Sequence, residues 1–129
     1  MSKKKVRIAR CRAFHAQNGL CYYCGRPMCP SQDALPTFAL DLSISQAGAR
    51  VLLATAEHLH ARSKGGSDHP KNIAAAHALC NYRRHRSKKP MPPDAYRTYV
   101  ARRCESGNWF DQNLSKRLKP NVRSGRIDR

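Results

Sequence analysis

The segment Ala56-Glu57-His58-Leu59-His60-Ala61-Arg62-Ser63-Lys64-Gly65-Gly66-Ser67-Asp68 leads through Asn72-Ile73 to His77-Ala78-Leu79-Cys80-Asn81. It puts a carboxylate and an imidazole at the end of an apolar, β-branched run, Arg50 to His60, which reads as a strand. A basic loop closed by Gly65-Gly66 follows. Asn72 comes 14 residues after His58, and Asn81 comes 9 residues after Asn72. Residues 72–86 read as a short strand or turn leading into a helix, with Ala74, Ala75 and Ala76 favouring helix. Each residue alone has a plainer role. A Glu-His pair is usually a surface feature, Asn72 suits a helix N-cap, Gly65-Gly66 is a turn, and His77 alone reads as an exposed helix residue. Their joint spacing carries the argument.

The cysteines extend the pattern in both directions. There are six, at 11, 21, 24, 29, 80 and 104. Three disulfides in a secreted scaffold would fit the even count. However, the basic start Met1 to Lys5 is followed by no apolar stretch of a signal peptide, so an oxidising compartment is not expected. The spacing favours metal. Cys21-Tyr22-Tyr23-Cys24-Gly25 is a knuckle that Gly25 can turn, and His77-Ala78-Leu79-Cys80 repeats the interval. Two such pairs supply the four soft ligands of a tetrahedral structural zinc site. Cys29 competes weakly, because its distance from Cys24 fits no knuckle and Pro30 follows it. Cys11 and Cys104 read as small, buried or reduced residues.

Composition sets the class of partner. The chain has 129 residues, 25 of them Lys or Arg against 8 Asp or Glu, for a net charge of +17 and a pI near 10.4. Mean hydropathy is −0.71. No run of about 20 apolar residues is present to cross a membrane. So basic a chain is expected to meet a polyanion, nucleic acid first and an anionic membrane surface second. Its small core is expected to need a staple such as zinc. Residues 3–12 hold six basic side chains and no acid, and Lys116 to Arg129 holds six against Asp128 alone. A solvated, partly disordered tail is the plain reading of both runs. Arg83, Arg84, Arg86, Lys88 and Lys89 differ, because they directly follow the motif, where phosphate contact fits.

Along the rest of the chain, residues 6–18 read as a helix stopped by Asn18-Gly19. Residues 26–49 read as an insertion near the knuckle, broken by Pro27, Pro30 and Pro36, with Asp41 to Ser45 alternating like a short strand. Pro90, Pro92 and Pro93 mark a boundary before a helix from Asp94 to Cys104, which Gly107 ends. Trp109, Phe110 and Leu114 are suited to dock the last segment on the core, and disorder is expected after Lys119-Pro120. Tyr22 and Tyr23 read as knuckle packing. His15, His69 and His85 read as surface or phosphate-side residues, His85 nearest nucleic acid.

The combination of a CxxCG knuckle, Glu-His, Ser-Lys-Gly-Gly, a spaced Asn and Cys-Asn resembles the HNH endonuclease superfamily, from about Cys21 to His85. The resemblance implies an α+β fold. Its centre would be a ββα-metal motif with a structural zinc knuckle, flanked by an N-terminal helix and C-terminal helices. It implies His58 as the general base that activates water, a task suited to imidazole. It implies Glu57 and Asn81 as ligands of a catalytic Mg²⁺ or Mn²⁺ ion, and Asn72 as the residue that orients the loop and the base. Glu stands where the family often has Asp, Asn81 where it often has His, and Ala61 near its usual Pro. His60 occupies a commonly aliphatic position, and takes the place of Glu57 if Glu57 faces away from the site.

These readings divide the chain into a basic N-terminal helix (1–20), a zinc-stapled HNH core (21–88, with 26–49 inserted) and a C-terminal helical segment with a basic tail (89–129). The expected function is metal-dependent cleavage of DNA, most simply double-stranded, in the cytoplasm and without a membrane. Cys21, Cys24, His77 and Cys80 would hold structural zinc. Lys64, Arg83, Arg84 and Arg86 would touch nucleic acid. The alternative is a zinc-dependent nucleic-acid-binding module without catalysis. Site preference and oligomeric state are not legible in the sequence.

Overall fold

A computed structural model describes residues 3–119. The expectation of disorder after Lys119, and most of the C-terminal basic run, fall outside them. The centre is an antiparallel hairpin, β1 (Ala54–His58) and β2 (Ile73–His77), in register from Ala54 opposite His77 to His58 opposite Ile73. Helix α4 (Ala78–His85) follows β2 directly. This strand-loop-strand-helix unit is a ββα arrangement within an α+β fold.

Ala74, Ala75 and Ala76 form strand β2, contrary to their helical propensity. Every residue of β2 is buried. Small side chains allow that, because the strand is covered on both faces and tertiary packing outweighs a weak local preference. The edge of β2 away from β1 is also closed. Gln17 donates from Nε2 to Ala75 O at 2.8 Å and accepts Ala75 N–H on Oε1 at 3.0 Å, while Tyr22 N–H reaches Ala75 O at 3.0 Å. One glutamine at the end of α1 (Lys3–Ala16) thus stands in for a third strand.

The chain leaves α1 through two left-handed residues, Asn18 (φ 57°) and Gly19 (φ 75°), as the stop signal predicted. A side chain on Gly19 would also lie 3.2 Å from the Phe14 ring. The knuckle then closes with Gly25 N–H donating to Cys21 O and Cys21 N–H to Arg26 O, both at 2.9 Å. Cys29 pairs its backbone with Leu52 and Ala54 beside β1.

Between these points the insertion is helical. It comprises α2 (Leu35–Leu42), α3 (Gln46–Ala49) and a 3-10 turn at Arg50–Leu52. Asp41 to Ser45 is therefore not a strand. Asp41 and Leu42 end α2, Ser43 turns the chain at φ 58°, and Ser45 caps α3 by accepting Gly48 N–H at 2.9 Å. Pro36 sits in the first turn of α2, where its missing N–H costs nothing. Cys29, Leu35, Ala39 and Ala49 form a small core of their own there. The 3-10 turn also delays the strand expected from Arg50, which begins at Ala54.

Helix α5 (Pro93–Glu105) starts at the predicted proline boundary, and α6 (Gln112–Arg117) is capped by Asp111 accepting Leu114 N–H at 2.8 Å. Trp109, Phe110, Leu114 and Leu118 are buried in the main core with Leu52, Tyr96 and Val100. That core is built around Cys21, Cys24 and Cys80, so the last segment docks onto the cysteine cluster itself.

Candidate active site and metal cluster

The ligand atoms of Cys21, Cys24, His77 and Cys80 lie within 4.8 Å of one another, and all four residues are buried. His77 Nδ1 is 3.2 Å from Cys24 Sγ and 3.8 Å from Cys80 Sγ. Bonds of roughly 2.0–2.3 Å from a central zinc ion fit those separations. The surroundings orient the donors as a zinc site requires. His77 Nε2 is tied to Pro27 O at 2.8 Å, which turns Nδ1 toward the thiols. The N–H of His77 points at Cys21 Sγ and the indole N–H of Trp109 at Cys80 Sγ, both at 3.3 Å. Burial pushes the thiols of Cys24 and Cys80 up, and the neighbouring Cys21 pushes them further. Against its burial, the Cys21 thiol is instead pulled down by hydrogen bonds from those two thiols and His77, so the cluster favours one thiolate. Ionising all three in a dry core calls for a cation such as Zn²⁺. Cys29 lies apart with its thiol donating to Ser31 O at 3.2 Å, and Cys11 is exposed rather than buried.

Glu57, His58, Asn81 and His85 line one cavity of about 260 Å³, together with Ala56, Ala61, Arg62 and Ser63. Successive strand residues point to opposite sides. Glu57 accordingly turns beneath α4, and His58 turns toward the loop. Glu57 is only 1% exposed. Its Oε2 accepts from Tyr23 Oη and Arg84 Nη1, each at 2.6 Å, and its Oε1 lies 2.8 Å from His85 Nε2. The phenol of Tyr23 is raised by burial and by the Glu57 carboxylate, so it remains a donor.

His58 Nε2 is 2.8 Å from Asp68 Oδ1, which Arg62 also approaches at 2.9 Å. Those two partners hold the Asp68 carboxyl below its usual range. A carboxylate only accepts, so Nε2 is the donor and Nδ1 of a neutral His58 ring carries the lone pair. Asn81 anchors its amide nitrogen on Thr55 Oγ1 (3.0 Å) and Ala56 O (3.3 Å), leaving Oδ1 as its acceptor. Asn72 spans the loop. It accepts His60 N–H at 2.8 Å and donates to His60 O at 3.1 Å and Ser67 O at 2.7 Å.

Residues 46–87 match the family model for HNH endonucleases. This segment is similar to an HNH endonuclease domain. It runs from α3 to just past α4, so the Cys21-Cys24 half of the metal cluster lies outside it. The chain matches no curated protein and no solved structure.

Within the HNH segment, the structure brings to the site two residues that sequence reading assigned no part in catalysis: His85, read there as a phosphate-side residue, and Asp68. His85 follows Asn81 by one helical turn and reaches the same cavity, an i, i+4 relation that was visible in the sequence. Asp68 closed the quoted motif without a role, because only the fold of the loop brings it to His58. Arg84, expected on nucleic acid, is buried instead. Its donors go to Glu57, Met91 O, His58 O and Leu59 O, which leaves it the cation that compensates Glu57. Lys64 and Arg86 are exposed. Arg83 stacks on Trp109 with its guanidinium 4.6 Å from the ring centroid. Glu57 does not face away from the HNH cavity. His60 lines a different one with Leu59, Lys64 and Pro90.

Proposed function

We propose that the chain is a divalent-metal-dependent endonuclease that hydrolyses phosphodiester bonds in DNA, with double-stranded DNA as the first substrate. The observation that carries this reading is the meeting of Glu57, His58, Asn81 and His85 in one cavity of an HNH domain. His58 takes the proton of the attacking water on Nδ1. Asp68 fixes the required tautomer and compensates the imidazolium that forms. Asn72 holds the loop so that His58 and Asp68 keep their register.

Glu57 Oε1, Asn81 Oδ1 and the His85 imidazole are a mixed oxygen and nitrogen set that suits Mg²⁺ or Mn²⁺. An ion bound there would stabilise charge on the scissile phosphate and the leaving oxygen. Arg84 and Tyr23 hold Oε2 of Glu57, and so present Oε1 to the cavity. Cys21, Cys24, His77 and Cys80 would bind zinc as a structural staple at the junction of β2 and α4. Basic side chains flank the approach. Lys64 stands in the loop, and Lys5 and Arg12 of α1 line a groove of about 550 Å³ with Asp68 and His69.

Substitution of the base tests the reading. His58→Ala should lower the rate of plasmid nicking by about 10²–10⁴-fold, the usual range for a general base. Zinc content and DNA affinity should stay as in the wild type. Nicking at the wild-type rate would remove His58 from the chemistry. Tight binding without cleavage by the wild type, with any added divalent ion, would leave a nucleic-acid-binding module.

A further inference from the structure

Three arginines gather on the side of α4 turned away from Asn81 and His85. At ~100° per residue, Arg83 and Arg86 lie roughly 120–180° around the helix from that pair. They meet Tyr99 and Arg103 of α5, with Trp109, around a cavity of about 230 Å³ that no carboxylate lines. Among the described residues, none of the three arginines joins an ion pair. Arg83 donates to Trp109 O, and Arg103 donates to Asn108 O at 3.2 Å. Their guanidinium groups lie 4.6 Å from the Trp109 ring and 6.0 Å from the Tyr99 ring, while that of Arg86 lies 5.9 Å from Tyr82. Tyr99 is 39% exposed. A cation near a helix C-terminus is ordinary. Three around one aromatic-walled cavity, with no acid to balance them, form a site for an anion. A guanidinium stacked on a ring still offers edge N–H groups to fork a phosphate.

We propose that this cavity is a second nucleic-acid site. It takes a backbone phosphate among Arg83, Arg86 and Arg103, with the adjoining base against the open ring of Tyr99. The proposal rests on the reading of the chain as acting on nucleic acid. It adds that the protein holds a stretch of strand other than the one at the HNH cavity, on the opposite side of the same helix.

Trp109 is the only tryptophan of the chain and forms a wall of the cavity, so its emission reports occupancy. The experiment titrates the full zinc-loaded chain with single- and double-stranded oligonucleotides over a range of salt. It reads the anisotropy of a labelled strand and the emission of Trp109. Arg86→Gln/Arg103→Gln, at two exposed positions, should lower the slope of log affinity against log salt by about 0.7–0.9, the loss of one phosphate contact. It should also abolish the change in Trp109 emission. His58→Ala, and the charge-matched Arg50→Gln/Arg117→Gln, should keep that change.

Wild-type slope and emission response in Arg86→Gln/Arg103→Gln would overturn the proposal alone. No nucleic-acid binding by the wild type would overturn it together with the nuclease reading. AMP or inorganic phosphate acting on Trp109 at concentrations as low as the oligonucleotide would make the cavity a free-phosphate site and overturn the strand proposal.

Discussion

His58 and Asp68 come from opposite ends of the HNH loop and meet at 2.8 Å. Asp68 touches no reacting atom in the proposed reaction, and acts by positioning. Asp68→Asn keeps the shape but can offer Nε2 an amide nitrogen, which permits the wrong tautomer of His58. The variant should lose about 10–100-fold in kcat, the scale of partners one bond removed from the chemistry. KM and DNA affinity should change little, and Asp68→Glu should recover part of the rate. A loss confined to KM or to folding would reduce Asp68 to a loop tether. Residue identities at the site were largely legible in the sequence, because His58, Asn72, Asn81 and the four soft ligands stand at telling intervals. Asp68, Tyr23 and the burial of Arg84 were not. Their contacts with His58 and Glu57 depend on loop geometry and on which face of α4 turns inward, and no interval in the sequence encodes either.

At the scale of elements, the loop between β1 and β2 is held by backbone geometry as much as by side chains. Gly65 adopts φ 91°, and a Cβ on Gly66 would sit 1.8 Å from His60 O. The two glycines therefore do different things. One permits a left-handed turn and the other makes room for the carbonyl of His60, which Asn72 also holds. Gly66→Ala must displace backbone, and should cost about 1–3 kcal/mol of stability together with most of the activity. Denaturant unfolding checks the first and plasmid nicking the second. A stable, fully active Gly66→Ala would mean that the loop is not needed in this form.

The glycine turn, the helix stop at Asn18-Gly19 and the proline boundary before α5 rest on local stereochemistry, and all three are in the fold. The Ala74–Ala76 strand rests on packing from distant segments, against the helical propensity of alanine. Over Asp41 to Ser45 the alternation of the sequence gives way to the end of α2, the left-handed turn at Ser43 and the Ser45 cap.

For the molecule as a whole, a net charge of +17 opposes the compact state by self-repulsion, and the main core packs around three cysteines with the buried His77 beside them. Zinc should be bound at one ion per chain, and Cys80→Ser should lose both the metal and the cooperative unfolding transition. Mass spectrometry under native conditions and calorimetry would read these. Burial raises the thiols of Cys24 and Cys80, so binding zinc must displace protons there. Zinc affinity should therefore rise with pH and fall on acidification. A zinc-free chain that unfolds as the wild type does would refute the staple. Among the described residues no helix is long and apolar enough to cross a membrane, and the charge instead suits a polyanion. Cleavage of DNA with a divalent ion held beside His58 is the reading on which the other expectations depend. Supercoiled plasmid incubated with the full chain, zinc loaded and otherwise free of divalent ions, should stay intact, and should become nicked circles once Mg²⁺ or Mn²⁺ is added. Equal nicking in both conditions, or none in either, would remove the divalent-metal nuclease.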